Sequence, residues 1–335
     1  MTVIRRVEVL SVNFGIGEAT LRILEGPLAG EEHPGVFYLE LGESPVVGEV
    51  ALANTVGIEM GLGTGGAAFV LPGGGGNEPE NRDHFVKLPY TPVQFPARAG
   101  EQAESLSDVP VVVLPLHSHL AVACSAVAAL RPGCRVAFVW GEGGALPVGL
   151  SRSVAELKEK GLLGSVVSSG NCFGGDVEAP SIYSALLMAG GADIILVGIG
   201  PGIVGTAARY GHGGMSAAVS LNAAYALGAE PVLAPRISFA DERQRHFGVS
   251  HHTRSVLEAA LGECRVALPE GALQKTSLEG LPDRHSYIPV SFGAAGLEEE
   301  FGLTFESMGR KYADDKVFFD AAAAAVWLAL GGGAS

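Results

Sequence analysis

Five short segments hold most of the residue types that can move protons, bind anions or ligate metals: HSH (117–119), GEGGALP (141–147), NCFGGD (171–176), GIGPGIVGT (198–206) and RISFADERQRHFGVSHHTR (236–254). Histidine titrates near neutral pH, so His117, His119, His251 and His252 are candidates for general acid–base work. The same four invite a metal reading, completed by carboxylates from Glu142, Asp176, Glu178 or Asp241. Backbone geometry decides between these uses. On an extended chain His117 and His119 share a face, whereas on a helix they diverge by about 200°, and the adjacent His251 and His252 by about 100°. Capping and core hydrogen bonding are the structural alternatives. Cys172 near Asp176 is a possible nucleophile, against the commoner role of inert packing.

Anion chemistry has two further sources. In residues 236–254, Arg236, Arg243, Arg245 and Arg254 oppose only Asp241 and Glu242, a local charge of +2 inside an acidic protein. Arginine grips phosphate or carboxylate with a bidentate fork, while ion pairing to the surface is the alternative. Gly200, Gly202, Gly205 and Thr206 follow an apolar run and precede an expected helix, a place where backbone N–H groups and a helix N-terminus can meet an anion. The segment lacks the lysine of a phosphate-binding Walker loop and fits the dinucleotide fingerprint poorly, so a tight strand-to-helix turn with Thr206 as cap is its other reading.

The elements that must position these residues are legible as alternating patterns. From about residue 109 the runs VPVVVLPL, CRVAFVW, GSVVSS, ADIILVGIG, EPVLAP and CRVALP look like strands buried on both faces. Helices are expected between them, including residues 153–160 with a Ser153-x-x-Glu156 capping box, and residues 213–227. Repeated strand–helix–strand units predict a Rossmann-like, mostly parallel sheet with flanking helices over residues 105–335. An Ala-rich packing helix is expected at 314–330. Residues 1–104 instead carry short β-rich runs and turn residues, which predict a small barrel-like domain. Its glycine runs, GLGTGG (61–66) and GGGG (73–76), read as turns or a ligand-facing backbone and as a flexible connection, respectively. In open parallel sheets, ligands bind beyond the carboxyl ends of the strands, and all five chemical segments fall at that predicted edge.

Composition excludes several classes. With 36 acidic and 22 basic side chains the net charge of −14 repels a phosphate backbone, so nucleic acid is not an expected partner. Apolar stretches are interrupted well before the ~20 residues of a membrane span. The N-terminus MTVIRRVEVLSV reads as a strand and not a signal peptide, because Glu8 breaks the apolar run. Four scattered cysteines without a C-x-x-C pair fit a reducing, cytoplasmic setting.

Several motifs in order, GLGTGG (61–66), HSHL (117–120), GGALP (143–147), FGGDVEA (173–179), GPGIVGT (200–206), PRISFAD (235–241), SHHT (250–253) and SMGR (307–310), make the chain resemble domain of unknown function family 3866 over most of its length. The resemblance implies a bacterial, cytoplasmic protein and carries over no catalytic residue or cofactor. Relatives tend to have an aromatic–His pair at Ala67-Ala68, an Asp at Glu142 and a His at Asn171. The two lost histidines weaken metal schemes that need those positions, but not one built from His117, His119, His251 and His252.

The expected function is therefore binding or transformation of a small anionic, phosphate- or nucleotide-like molecule at the strand edge. Gly200, Gly202, Gly205, Thr206, Arg236 and Arg243 would hold the anion, with His117, His119, His251, His252 or Asp176 acting on protons. A metal-dependent hydrolase and a non-catalytic sensor or scaffold are the alternatives, and the apolar helices make self-association plausible.

Overall fold

A computed structural model describes residues 3–61, 66–73, 85–89, 93–98, 100–206, 208–273, 275 and 277–332. Most of GLGTGG (61–66) and GGGG (73–76) lies outside the described residues. The chain divides into two compact units, Met1–Ala97 and Arg98–Ser335.

In the first unit, strands β1 (Ile4–Asn13), β2 (Glu18–Ile23), β3 (Glu32–Val36), β4 (Val50–Asn54) and β5 (Ala68–Val70) close into a barrel in the order β1-β2-β3-β5-β4. Alternation makes the barrel. Along β2, Ala19, Leu21 and Ile23 are buried while their neighbours are partly exposed, as a pleat with one apolar face requires. All pairings are antiparallel except that of β3 with β5, which runs parallel because β4 intervenes in the chain.

The second unit is built on eight parallel strands: β6 (Val111–Leu114), β7 (Val136–Gly141), β8 (Ser165–Ser169), β9 (Val177–Ala179), β10 (Ile194–Ile199), β11 (Val232–Leu233), β12 (Arg265–Pro269) and β13 (Ser286–Val290). Their order is β9-β8-β7-β10-β6-β11-β12-β13, and every neighbouring pair is parallel. All four residues of β6 and all six of β10 are buried. Successive side chains go to opposite faces: Val112 and Leu114 join one core, Val111 and Val113 the other. On the first face lie helices α1 (His119–Leu130) and α6 (Lys316–Ala329); on the second lie α3 (Ile182–Met188), α4 (Ser216–Ala226) and α5 (His251–Ala259). Ala321 to Ala325 of α6 are fully buried, so the short side chains let that helix lie close against its neighbours. Each Val, Leu or Ile sealed in these layers contributes about 1.5–3 kcal/mol.

Three local expectations are corrected. Helix α2 (Arg152–Glu159) is capped by Ser151, whose Oγ accepts from the Val154 N–H; Ser153 is already inside the helix, so the Ser153–Glu156 box does not form. Among the described residues no helix follows directly on Thr206; the one expected over 213–227 forms where expected, as a 3-10 turn at Gly213–Met215 that leads into α4 (Ser216–Ala226). The C-terminal helix starts at Lys316, two residues later than expected. No helix among the described residues is long and apolar enough to cross a membrane.

The topology fixes where a site can form. From β6 the chain crosses to one side of the sheet, to β7; from its neighbour β11 it crosses to the other side, to β12. Loops leaving the carboxyl ends of two such strands diverge and leave a crevice between them.

Candidate functional site

A cavity of about 670 Å³ occupies that crevice. Its walls come from the segments following four strands: Leu116 to Ser118 after β6, Leu146 and Leu150 to Ser153 after β7, Gly200 to Gly202 and His212 after β10, and Arg236, Arg243, Arg245, His246 and His252 after β11. Glu306, Ser307 and Met308 complete it. Of the residues singled out in the sequence, His117, His252, Gly200, Gly202, Gly205, Thr206, Arg236 and Arg243 line this one cavity.

Others lie elsewhere. His119 is the first residue of α1 and fully buried, its ring 4.7 Å from that of Phe318. Asp176 accepts from Lys158 Nζ at 2.6 Å and from the Val166 N–H at 2.7 Å, which ties the loop after β8 to α2. Glu142 accepts from the Asn171 N–H and Glu178 from the Gly174 N–H, so these carboxylates brace the NCFGGD loop. Arg254 is spent on the carbonyls of Glu279 and Ser277.

The glycines have a packing reason that differs from a helix-end anion cradle. Residues 200–206 and 208–212 are not helical; they are bridged between Gly144 and Ile203 and between Gly205 and His212. Thr206 therefore does not cap: its hydroxyl donates to the Gly211 carbonyl and accepts from the Ala208 N–H. A Cβ on Gly144 would meet the Gly200 backbone at 2.5–2.7 Å, and a Cβ on Gly143 or Gly213 would run into the other's backbone. The GEGG and GHGG segments are glycine-rich because three loops pack backbone on backbone.

Electrostatics converge on Asp241. Its buried carboxylate accepts from Arg243 Nε at 2.9 Å and Nη2 at 2.8 Å, and from Arg236 Nη2 at 3.2 Å; Arg310 lies at 3.6 Å. The hydrogen bonds from Arg243, chiefly, hold the Asp241 carboxyl well below the usual range. Arg310 also reaches Asp315 at 3.4 Å, whose own carboxyl is raised by burial and accepts from Ser238 Oγ. Three guanidiniums thus face two carboxylates. Arg236 is 3% exposed, burial brings its pKa down to about 10, and its Nε has no hydrogen-bond partner among the described residues. The Sδ of Met308 lies 3.3 Å from Arg243 and 3.9 Å from Arg236. Met308 holds φ = 52°, a strained conformation for a side-chain-bearing residue of the kind that clusters at ligand sites.

The histidines form two groups. His117 Nδ1 lies 3.2 Å from the Ile199 carbonyl, which only accepts, so Nδ1 carries the proton and Nε2 accepts from Ser151 Oγ at 2.7 Å. A serine hydroxyl facing an oriented, unprotonated imidazole is the arrangement that moves a proton off oxygen. Burial lowers His117 to about 4, keeping that acceptor available at neutral pH. The second group joins His212, after β10, to His251 and His252 at the start of α5. The rings of His212 and His252 stack 3.8 Å apart, His251 lies 4.4 Å from His252, and His246 stands 4.8–4.9 Å from both. Burial, then nearby cationic groups, holds His246 down at about 3 and His252 at about 2. His212 and Ser151 had no place among the sequence candidates; a histidine flanked by glycines, GHGG (211–214), at the same sheet edge was the available signal for the first.

Fold and site define the class: a barrel unit joined in sequence to a parallel α/β unit with an arginine- and histidine-lined cleft at its strand ends. The family model described as protein of unknown function (DUF3866) matches residues 35–326, and the chain belongs to that family. No curated protein and no solved structure matches it significantly.

Proposed function

We propose that the cleft binds a small anionic molecule of phosphate- or nucleotide-like chemistry and that His117, through Ser151, serves as a proton acceptor beside it. The observation that carries this reading is Arg236, a buried guanidinium in the cavity wall whose Nε has no partner among the described residues and whose counterion is shared. Arg152, Arg236, Arg243 and Arg245 line the cavity against a single carboxylate, Glu306. An anion entering it gains charge-assisted hydrogen bonds from groups whose desolvation is already paid for. Four cysteines without disulfides fit the cytoplasmic setting that this reading assumes.

The test is thermal-shift screening followed by titration calorimetry with inorganic phosphate, a nucleoside monophosphate and a dicarboxylate. At least one should stabilise the chain saturably, by about 2.7 kcal/mol at a hundredfold excess over Kd. Arg243→Ala should weaken that ligand roughly tenfold or more, the loss of one charge-assisted bidentate contact. Failure of all three anions to shift unfolding removes the proposal.

A further inference from the structure

We infer that His212, His251 and His252 form a binding site for one first-row divalent transition metal ion, zinc in the first instance, at the edge of the cleft. This inference stands on the histidine cluster alone and does not depend on the anion reading.

Each of the three residues can offer a ring nitrogen such that all three atoms lie within 4.8 Å of one another. Ligands 2.0–2.1 Å from a tetrahedral zinc are about 3.3 Å apart, so binding requires the His212 and His252 rings to turn out of their stack until the three lone pairs meet at one point. His212 is 6% exposed, yet neither of its ring nitrogens makes a well-formed hydrogen bond among the described residues, only the Arg209 backbone standing close to the ring, and His251 Nε2 has no partner among them. Buried imidazole nitrogens are seldom left in that state, since each costs about 1–3 kcal/mol. A bound cation would take one nitrogen from His212 and one from His251, leaving the second His212 nitrogen to face the Arg209 backbone.

Adjacent helical histidines point about 100° apart and ordinarily diverge. Here they occupy the first two positions of α5, where His212 arrives from the loop after β10 and stacks on His252. Ser250 caps α5: its Oγ accepts from the His252 N–H, fixing the helix start that carries both histidines, and it bonds His246 Nδ1 at 2.7 Å. The donor set selects the ion. Three imidazoles without a carboxylate suit zinc, cobalt, nickel or copper and disfavour magnesium and calcium, which take oxygen ligands. His212 and His252 also line the cavity, so an open coordination position would be supplied from it.

The test uses the full, untagged chain, stripped with chelator and dialysed. Titration with Zn2+ should give one ion per chain, and Co2+ should give the visible ligand-field bands of a low-coordinate nitrogen site. His212→Ala, His251→Ala and His252→Ala should each weaken binding about 100-fold or more, whereas His33→Ala in the barrel unit should leave it unchanged. Absence of stoichiometric uptake by the folded wild-type chain overturns the inference, as does undiminished uptake by the variants. The Co2+ spectrum needs no variant and decides the matter if an alanine chain fails to fold. Phosphate titration of the stripped and zinc-loaded chains, run alongside, keeps the two proposals apart: loss of phosphate binding with zinc uptake intact counts against the anion reading only.

Discussion

Removing the carboxylate that holds the arginine cluster together should be among the most damaging single changes in the second unit. In Asp241→Ala, Arg236 keeps its buried position, 4% exposed at the side chain, but loses its counterion. Breaking a buried pair from one side costs about 3–5 kcal/mol, because the remaining charge is left desolvated. Arg243 is 47% exposed at its side chain, so its share is screened by solvent and adds under about 1 kcal/mol. The adjoining cavity gives the Arg236 guanidinium some access to water, which places the total near the lower bound, about 3 kcal/mol. For a unit of this size that corresponds to a fall in Tm of about 6–12 °C. Both tryptophans, Trp140 and Trp327, belong to the second unit, so urea unfolding followed by tryptophan fluorescence reports on it selectively. Adding Arg236→Met to Asp241→Ala should recover stability, since the orphaned charge is gone. The pH dependence has a fixed sign. The Asp241 carboxyl is held below its ordinary value, so its contribution is complete above about pH 4 and fades as pH falls further. Wild type and Asp241→Ala should therefore differ by a constant amount from pH 5 to 8 and converge in stronger acid. A urea midpoint for Asp241→Ala equal to that of wild type, or a double variant no more stable than the single one, refutes this account.

Three further outcomes are expected. Burial lowers His119 and His246 to about 3, so below the ordinary imidazole pKa the unfolded chain takes up protons that the folded one refuses. Stability of the metal-free chain should then fall by about 1.4 kcal/mol per pH unit for each between pH 6 and 4, and His119→Leu should flatten the slope by one such share in urea titrations. Ser151→Ala removes the cap of α2 and the partner of His117 Nε2, and should cost about 1 kcal/mol, read from the same unfolding curves. Gly213→Ala forces a Cβ into the Gly143 backbone, so it should lower Tm by several degrees although the side chain added is only a methyl group; an unchanged Tm would show that the loops are free to separate.

Short-range patterns made the architecture readable in the amino-acid order. Runs such as VVVL and IILVGI are apolar at every position, and only a strand covered on both faces buries them all; glycine-rich and charged segments between them mark the strand ends. The placement of His117, Gly200 and Arg236 at one sheet edge follows from the same alternation. Tertiary structure alone decided which of these side chains meet. His212 joins His251 and His252 from roughly forty residues away because the crossover from β10 to β11 returns its loop to the start of α5. Asp176 goes to Lys158 and Asp241 to three arginines, although both are single aspartates in glycine- or arginine-rich loops. The capping serine is Ser151 and not Ser153, set by where the turn after β7 ends. Local periodicity encodes burial, which depends on a residue's immediate neighbours; partnership between distant loops depends on strand order, which no local spacing records.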